Sequence, residues 1–177
     1  MKAAKNTAYI AMAAVILTVC SWLTIPFTVP FTMQTFAVFA VLFILGGKRG
    51  TAAIGLYIAM GMIGVPVFSG FGGGVSHIIG PTGGYIIGFL FTGVLYMIFE
   101  HLLPEGKPLP AALLLACGLL LCYLVGTLWF VAVFGMRGES IGFFSALMTC
   151  VVPYILPDAA KLALAVYVGS RVKKYLR

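Results

Sequence analysis

Charged residues are scarce in this sequence. Asp, Glu, Lys and Arg together make up 8% of its 177 residues, whereas 62% are hydrophobic. A soluble globular domain is about 25% charged, so the composition argues against a soluble enzyme or binding module and predicts an integral membrane protein. The length suits one domain, and we expect a single membrane-embedded domain over residues 1–177.

Features of several other functional classes are missing as well. The net charge is +7, but the basic residues are scattered among short loops and the chain ends, which excludes a nucleic-acid-binding face. The four cysteines lie in apolar stretches without zinc spacing, so we expect neither disulfides nor a bound metal. Gly80–Tyr85 is glycine-rich but lacks the Gly-Lys-Ser/Thr of a nucleotide loop, and we expect no cofactor.

The apolar runs predict an all-α fold with six transmembrane helices. A helix needs about 20 residues to cross a ~30 Å hydrocarbon core, and the second and third runs are shorter, so irregular backbone is expected next to them. The basic residues fall almost entirely on one side of such a bundle, which predicts cytoplasmic N- and C-termini. The predicted spans are Thr7–Ile25, Phe36–Leu45, Thr51–Ile63, Gly83–Phe99, Leu109–Phe134 and Gly142–Ser170.

The last span contains an acid and a base, Asp158 and Lys161. A charge at bilayer depth costs about 2.5–3.5 kcal/mol on insertion scales, so such residues are usually paired or functional. Their i, i+3 spacing puts both side chains on one helical face, and we expect Pro157 to start or kink the helix beside them. We interpret the pair as a polar site facing the inside of the bundle. The alternative is a structural ion pair that satisfies only itself.

Two irregular segments, Pro26–Thr35 and Val65–Gly83, fall on the outer side in this orientation. Prolines in the first and glycines in the second interrupt regular helix, and such backbone must cover protein or a cavity when it lies in a membrane. Asp158 precedes Arg171 by thirteen residues, or ~20 Å of helix. The pair should therefore lie in the outer part of the bilayer, beneath both segments, in one outward-facing pocket.

The glycine-rich stretch resembles a known family. Gly64-Val-Pro-Val-Phe-Ser-Gly-Phe-Gly-Gly-Gly, followed by Gly80-Pro-Thr-Gly-Gly-Tyr-Ile-Ile-Gly-Phe, is similar to the BioY family, the biotin-binding S components of energy-coupling factor (ECF) transporters. Pro26-Phe-Thr-Val-Pro-Phe-Thr-Met-Gln-Thr and Pro157-Asp-Ala-Ala-Lys also fit that family. The resemblance covers nearly the whole chain.

The resemblance implies high-affinity capture of biotin from outside a prokaryotic cell and its uptake through the plasma membrane. The partners it implies are membrane lipid, a transmembrane coupling subunit and two cytoplasmic ATPases, so that ATP is used by the partners and the chain is not an enzyme. It also implies that Pro26–Thr35 acts as a lid. Small residues of the first helix would dock on the coupling subunit: Ala4, Ala8 and Ala11. The expected substrate-binding residues are Asp158 and Lys161 and, from loop position, Gln34, Gly73, Gly74, His77 and Tyr85.

Several alternatives stay open. Many family members carry an arginine or asparagine near the glycine-rich loop, but this sequence has neither between Gly50 and Phe99, which leaves the partner of the biotin carboxylate unassigned. The chain could bind a different small vitamin, or act as a stand-alone carrier or channel, although no inverted repeat is visible. An intramembrane enzyme is disfavoured because Asp158 has no second acid, metal set or Ser/Lys dyad.

Overall fold

The computed structural model is a helical bundle with one small β-hairpin. It describes residues 2–26, 29–104, 107–139 and 141–176. Two short 3₁₀ turns, Ser69–Phe71 and Glu100–Leu102, complete the regular structure of that part of the chain. The helices and strands are α1 (Lys2–Trp22), β1 (Thr24–Ile25), β2 (Phe31–Thr32), α2 (Gln34–Leu45), α3 (Gly47–Met62), α4 (Val75–Ile79), α5 (Gly83–Phe99), α6 (Pro108–Met136), α7 (Phe143–Cys150) and α8 (Val152–Leu176).

Four of the described helices, α1, α5, α6 and α8, are long and apolar enough to cross a membrane. The longest, α6, has 29 residues and a mean hydropathy of 2.3. One stripe of leucines on α6 is between 48% and 66% exposed, as expected for a helix that faces lipid. The helices α2 and α3, with 12 and 16 residues, are shorter than a full span. The exposed stripe consists of Leu113, Leu120, Leu124 and Leu128.

Sequence and structure agree on the position of α5, which covers the predicted fourth span, Gly83–Phe99. The predicted sixth span is instead divided, because the backbone leaves helical geometry at Val151 and α8 begins at Val152. We expected Pro157 either to start a helix or to kink one. A helix start is wrong, because this proline lies inside α8. A proline at that position leaves the carbonyl of Pro153 without its usual helical donor.

Close contact between α5 and α6 depends on glycine. A Cβ atom at Gly88 would lie 2.7 Å from the Cys122 sulfur and 3.0 Å from its Cα, and a Cβ atom at Gly126 would lie 2.1 Å from the Tyr85 ring. Side chains at these positions would force the helices apart, so glycine permits the short separation. The close packing places Tyr85 of α5 beside the central turns of α6.

A central position is taken by α2, whose residues 37–43 are all buried. It packs against α8, α3 and α1. Because α2 follows the β-hairpin directly, its first turn lies at the hairpin end of the bundle, next to the first turns of α8. This arrangement brings Gln34 and Thr35 close to the part of α8 that carries Asp158.

The two irregular segments lie at this same end. In the hairpin, Thr24 pairs with Thr32 and Ile25 with Phe31; Phe27 and Thr28 of the predicted lid lie outside the described residues. In the glycine-rich segment that follows α3, the ring of Phe68 is fully buried. It packs edge-on against Tyr57 with the ring centroids 5.5 Å apart.

The last turn of α1 holds the glycine-rich segment in place. The Ser21 hydroxyl donates to the carbonyl of Val67, and the Trp22 indole nitrogen donates to the carbonyl of Pro66 over 2.9 Å. The Trp22 ring also packs against Phe71, with the centroids 5.0 Å apart. One end of α1 is thus bonded to a segment that covers the bundle.

Candidate substrate site

Asp158 and Lys161 form a buried ion pair on α8. The Lys161 Nζ lies 2.9 Å from Oδ1 of Asp158, and the two side chains are only 7% and 4% exposed. The spacing of three residues on one helix makes this contact possible, as the sequence predicted. Burial of two charges is costly unless further hydrogen bonds satisfy them, so the other partners of this pair decide what it does.

Asp158 receives two more hydrogen bonds, each from a different helix. Thr35 of α2 donates its hydroxyl to Oδ1 over 2.9 Å, and Tyr123 of α6 donates to Oδ2 over 2.7 Å. The acid is therefore held by α2, α6 and α8 together. A carboxylate has about four acceptor positions, and three of them are used by described residues, which leaves about one for a ligand.

Lys161 joins the pair to the hairpin. Its ammonium donates to the carbonyl of Thr32 over 2.6 Å and lies 3.9 Å from the centroid of the Phe31 ring. Two of its three N–H donors are thus directed at described oxygens. The two charges are therefore bonded to other groups as well as to each other. The alternative of an ion pair that satisfies only itself does not describe them.

A cavity of about 70 Å³ opens beside the pair. Side chains from the hairpin, α2, the glycine-rich segment, α5, α6, α7 and α8 line it, so the three sequence features that predicted a pocket do contribute to one. Its walls combine aromatic rings with hydroxyl groups and carry a single acid and a single base. The lining residues are Val29, Pro30, Thr32, Gln34, Thr35, Ser69, Thr82, Tyr85, Ile86, Phe89, Leu119, Cys122, Tyr123, Cys150, Tyr154, Asp158 and Lys161.

Gln34 and Tyr85, both expected at the site from the sequence, line this cavity. Gln34 donates its side-chain amide to the Tyr57 hydroxyl over 2.7 Å, which leaves its carbonyl directed elsewhere. The Tyr85 hydroxyl lies 3.2 Å from that of Thr127. Both side chains are buried, so each holds its polar group in a fixed position at the cavity.

Gly73, Gly74 and His77 do not line the cavity. The Gly74 amide donates to the carbonyl of Gly61 over 2.7 Å, and its φ of 91° favours glycine. The His77 ring stacks on Phe68 with the centroids 5.2 Å apart, and burial lowers the pKa of this imidazole from its ordinary value near 6.5. These three residues shape the glycine-rich segment rather than the wall of the cavity.

Tyr123 and Tyr154 were not identified from the sequence, whereas Thr35 belongs to the proline-rich segment that was expected over the pocket. Tyr154 donates its hydroxyl to the carbonyl of Val29 and so fixes the hairpin to α8. Tyr123 lies in a helix that is apolar all round, where the sequence gives no indication of which side faces the acid. Only the rotation of α6 against α5, set by the glycine contacts, shows that Tyr123 points at Asp158.

The small residues Ala4, Ala8 and Ala11 lie on α1 far from the cavity, and all three are exposed. They are separated by four and three residues, so they share one face of the helix. The other half of α1, from Ala13 to Ser21, packs on the bundle.

The profile of the BioY family matches residues 1–177. The chain belongs to the BioY family. It is 36% identical over 166 residues to the "Biotin transporter BioY" of Thermotoga maritima, a match that covers 90% of each chain. It is 39% identical over 145 residues to the "Probable biotin transporter BioY" of Pyrococcus horikoshii, which covers 82% of this chain and 81% of the relative.

The BioY fold is also visible among solved structures. The chain is similar to the S-component for biotin from an ECF-type ABC transporter, with a TM-score of 0.86 and 26% sequence identity. The match covers 98% of this chain and 93% of the solved one. The resemblance noted from the glycine-rich and proline-rich motifs is thereby confirmed.

Proposed function

We propose that this chain captures biotin at the outer face of a prokaryotic plasma membrane, as the substrate-specificity subunit of an ECF-type ABC transporter. Residues 1–177 would form one substrate-binding unit. The observation that carries the proposal is the buried Asp158–Lys161 pair, which lies beside a cavity lined by aromatic side chains in a member of the BioY family. Nothing in this role requires the chain itself to catalyse a reaction.

The chemistry of the pair suits the ureido group of biotin. That group presents N–H donors beside a carbonyl acceptor, both uncharged. Asp158 has about one acceptor position left and Lys161 about one donor. An N–H of the ligand would bond the acid while its carbonyl accepts from the ammonium. The rings of Tyr85, Phe89 and Tyr154 would cover the fused bicycle.

For the carboxylate of the ligand we propose the start of α5. Thr82 lines the cavity immediately before this helix, and Ser69 lines it from the glycine-rich segment. A helix N-terminus carries a partial positive charge, which favours an anion; at the start of α5 the amides of Gly83 and Tyr85 already donate to the carbonyls of Gly80 and Thr82. This position replaces the arginine or asparagine that the sequence lacks. Gly73, Gly74 and His77 would support the segment that holds Ser69.

The hairpin would act as a lid. A volume of about 70 Å³ has room for several water molecules, whereas pockets that enclose drug-sized ligands hold about 300–1,000 Å³. Entry of biotin therefore requires the cavity to widen. Side chains of α8 hold the hairpin, since the carbonyls of Thr32 and Val29 accept hydrogen bonds from Lys161 and Tyr154, and these bonds would break when the lid opens.

We further propose six spans, α1, α2, α3, α5, α6 and α8, with both chain ends in the cytoplasm. The basic residues support this orientation. Lys48, Arg49, Lys107, Lys173 and Lys174 belong to the end of the bundle opposite the hairpin, and positive residues favour the cytoplasmic side. The cavity then faces outward.

A coupling subunit and two ATPases would complete the transporter. The exposed alanine face of α1 offers a close-packing surface for a transmembrane partner. Energy from ATP would come from these partners, with no nucleotide bound to this chain.

The test is to identify the ligand that the purified protein retains. Mass spectrometry of material extracted in mild detergent should find biotin, and calorimetry should give tight binding of biotin but not of a flavin or thiamine-like vitamin. Retention of another vitamin would overturn the choice of substrate and leave the capture role standing. Turnover of any bound compound would overturn both.

A further inference from the structure

A second cavity lies at the end of the bundle away from the Asp158 pair. It has a volume of about 560 Å³ and is formed where α2, α5, α6 and α8 end or begin. Lys173, on its wall, is fifteen residues beyond Asp158 on α8, or ~22 Å along the helix. The two cavities are therefore separate sites on opposite sides of the bundle.

The second cavity is positively charged. Lys107, Lys173 and Lys174 line it, and among the described residues Glu100 is the acid that lines it. The Glu100 carboxylate accepts the backbone N–H of Gly47 over 2.6 Å, at the start of α3. Among the described residues it forms no salt bridge with any of the three lysines. In the part of the chain that the structure describes, these lysines have no acidic partner, and they are suited to bind an anionic group.

The walls of this cavity are apolar below the charges. The Lys173 Nζ lies 4.8 Å from the centroid of the Phe43 ring, and Leu103 and Ala111 continue the apolar surface. Tyr96 also lines the cavity beside them. A small inorganic ion would use the lysines but not these walls. A molecule with an anionic head and an apolar body would use both.

We propose that this cavity binds the phosphate head group of an anionic phospholipid. The phosphate would lie among Lys107, Lys173 and Lys174, and the Tyr96 hydroxyl could donate to an ester oxygen. The glycerol and the first part of an acyl chain would lie on Phe43 and Ala111. Basic pockets between transmembrane helices are suited to such head groups, and each lysine near the surface contributes about 1 kcal/mol to the attraction.

The experiment places the full-length protein in nanodiscs of phosphatidylcholine that contain a minor fraction of phosphatidylglycerol. The protein is re-extracted, and its retained lipids are quantified by mass spectrometry. We expect phosphatidylglycerol to be enriched over its bulk fraction. The double variant K173Q/K174Q should reduce the enrichment roughly tenfold.

The matched control is K48Q/R49Q, which removes an adjacent exposed basic pair at the same end of the bundle but outside the cavity. It should keep the enrichment. A second variant, Ala111→Phe, retains every charge and narrows the apolar part of the cavity, and it should lower the enrichment. Equal loss in both double variants, or full enrichment in Ala111→Phe, would show that the cavity is not the site.

A further arm separates lipid from free phosphate. Inorganic phosphate, added at the phosphate concentration of the phosphatidylglycerol, should not displace the lipid because it cannot use the apolar walls. Complete displacement would identify a site for a free anion and overturn the lipid proposal. If K173Q/K174Q fails to fold, as judged by gel filtration, the single variant K107Q serves in its place, with a smaller loss of enrichment expected.

Discussion

Asp158 is held by donors from three helices, and this explains how an acid can be retained inside a membrane bundle. Thr35, Tyr123 and Lys161 each direct a hydrogen at its carboxylate. Hydrogen bonds to a charged acceptor contribute about 1.5–3 kcal/mol each, roughly twice the value for neutral pairs. The acid is therefore ordered in the protein without a ligand, and in the proposed role a ligand donor would meet a carboxylate that is already oriented.

Replacement of Asp158 by Asn should weaken biotin binding by roughly tenfold or more, because the amide cannot give a ligand N–H a charged acceptor. Isothermal titration calorimetry measures the effect. The control is Glu139→Gln, which neutralises an exposed acid in the loop after α6 and should bind as the wild type does. Unchanged affinity in Asp158→Asn would remove this residue from the site.

Substitution of Lys161 tests whether an unpaired buried charge at Asp158 destabilises the protein. Lys161→Met should lower the thermal midpoint strongly, since breaking a buried ion pair by removing one partner costs about 3–5 kcal/mol. The double variant Asp158→Asn/Lys161→Met leaves no unpaired charge, so it should melt above the single Lys161→Met variant. Fluorescence-detected melting in detergent measures the order of the midpoints, with Lys48→Met as the exposed control. A double variant less stable than Lys161→Met would contradict the burial argument.

The stability of the glycine-rich segment should depend on pH through the protonation of His77. Burial lowers the pKa of this imidazole below 6.5, so the folded segment binds the proton less readily than the unfolded one. The stability that the neutral imidazole contributes is fully present above pH 6.5, and it is lost as the pH falls from there through the lowered pKa. Hydrogen exchange over residues 66–80, corrected for intrinsic rates, should show faster opening at acid pH. His77→Gln should remove this dependence; an unchanged profile would show that another group is responsible.

At the scale of whole elements, the closeness of α5 and α6 determines the position of the site residues they carry. Cys122 and Tyr123 follow each other on α6, and Cys122 lies directly against Gly88 of α5. Any added side chain at Gly88 would move Tyr123 away from Asp158. The substrate cavity therefore depends on a helix contact that the glycine at position 88 makes possible.

The variant Gly88→Leu should lower the thermal midpoint and reduce biotin affinity together, because overpacking of a well-filled contact costs about 1–3 kcal/mol or more. Gly55→Leu is the matched control, since a Cβ atom at Gly55 meets nothing within 4 Å. Melting and calorimetry on the two variants give the comparison. Wild-type behaviour in Gly88→Leu would mean that α5 and α6 can separate without affecting the cavity.

Much of the helix pattern could be predicted from the sequence because the interruptions are chemical. Gly83, after the Gly-Pro-Thr turn, and Glu100 delimit α5, and the ion pair was visible as two charges in an apolar run. The break at Val151 does have a signal, because Pro153 lies in the first turn of α8, where proline is favoured, but the expected sixth span ran through it. Tyr123 could not be assigned because a uniformly apolar helix does not reveal its rotation. Gly73, Gly74 and His77 were placed at the substrate by loop position alone, which does not say which side of a loop faces inward.

At the scale of the whole molecule, the substrate cavity and the alanine face of α1 lie apart, so they should be separable by mutation. Ala8→Leu should leave biotin affinity unchanged and reduce co-purification with the coupling subunit, because a larger side chain prevents close approach of a partner helix. Ala163→Leu, at an exposed alanine of α8, is the control. Undiminished co-purification of Ala8→Leu would exclude this face as the dock.

The bonds from Ser21 and Trp22 to residues 66 and 67 have a mechanical consequence. The helix α1 is an unbroken rod of 21 residues, ~32 Å long, and its two ends reach opposite sides of the bundle. A tilt imposed at the alanine end would swing the other end like a lever arm, and the carbonyls of Pro66 and Val67 would move with it. Ser69, two residues further on, would then shift in the rim of the cavity. Contact with a partner on one side of the membrane would thus alter the site of a vitamin that is bound on the other side.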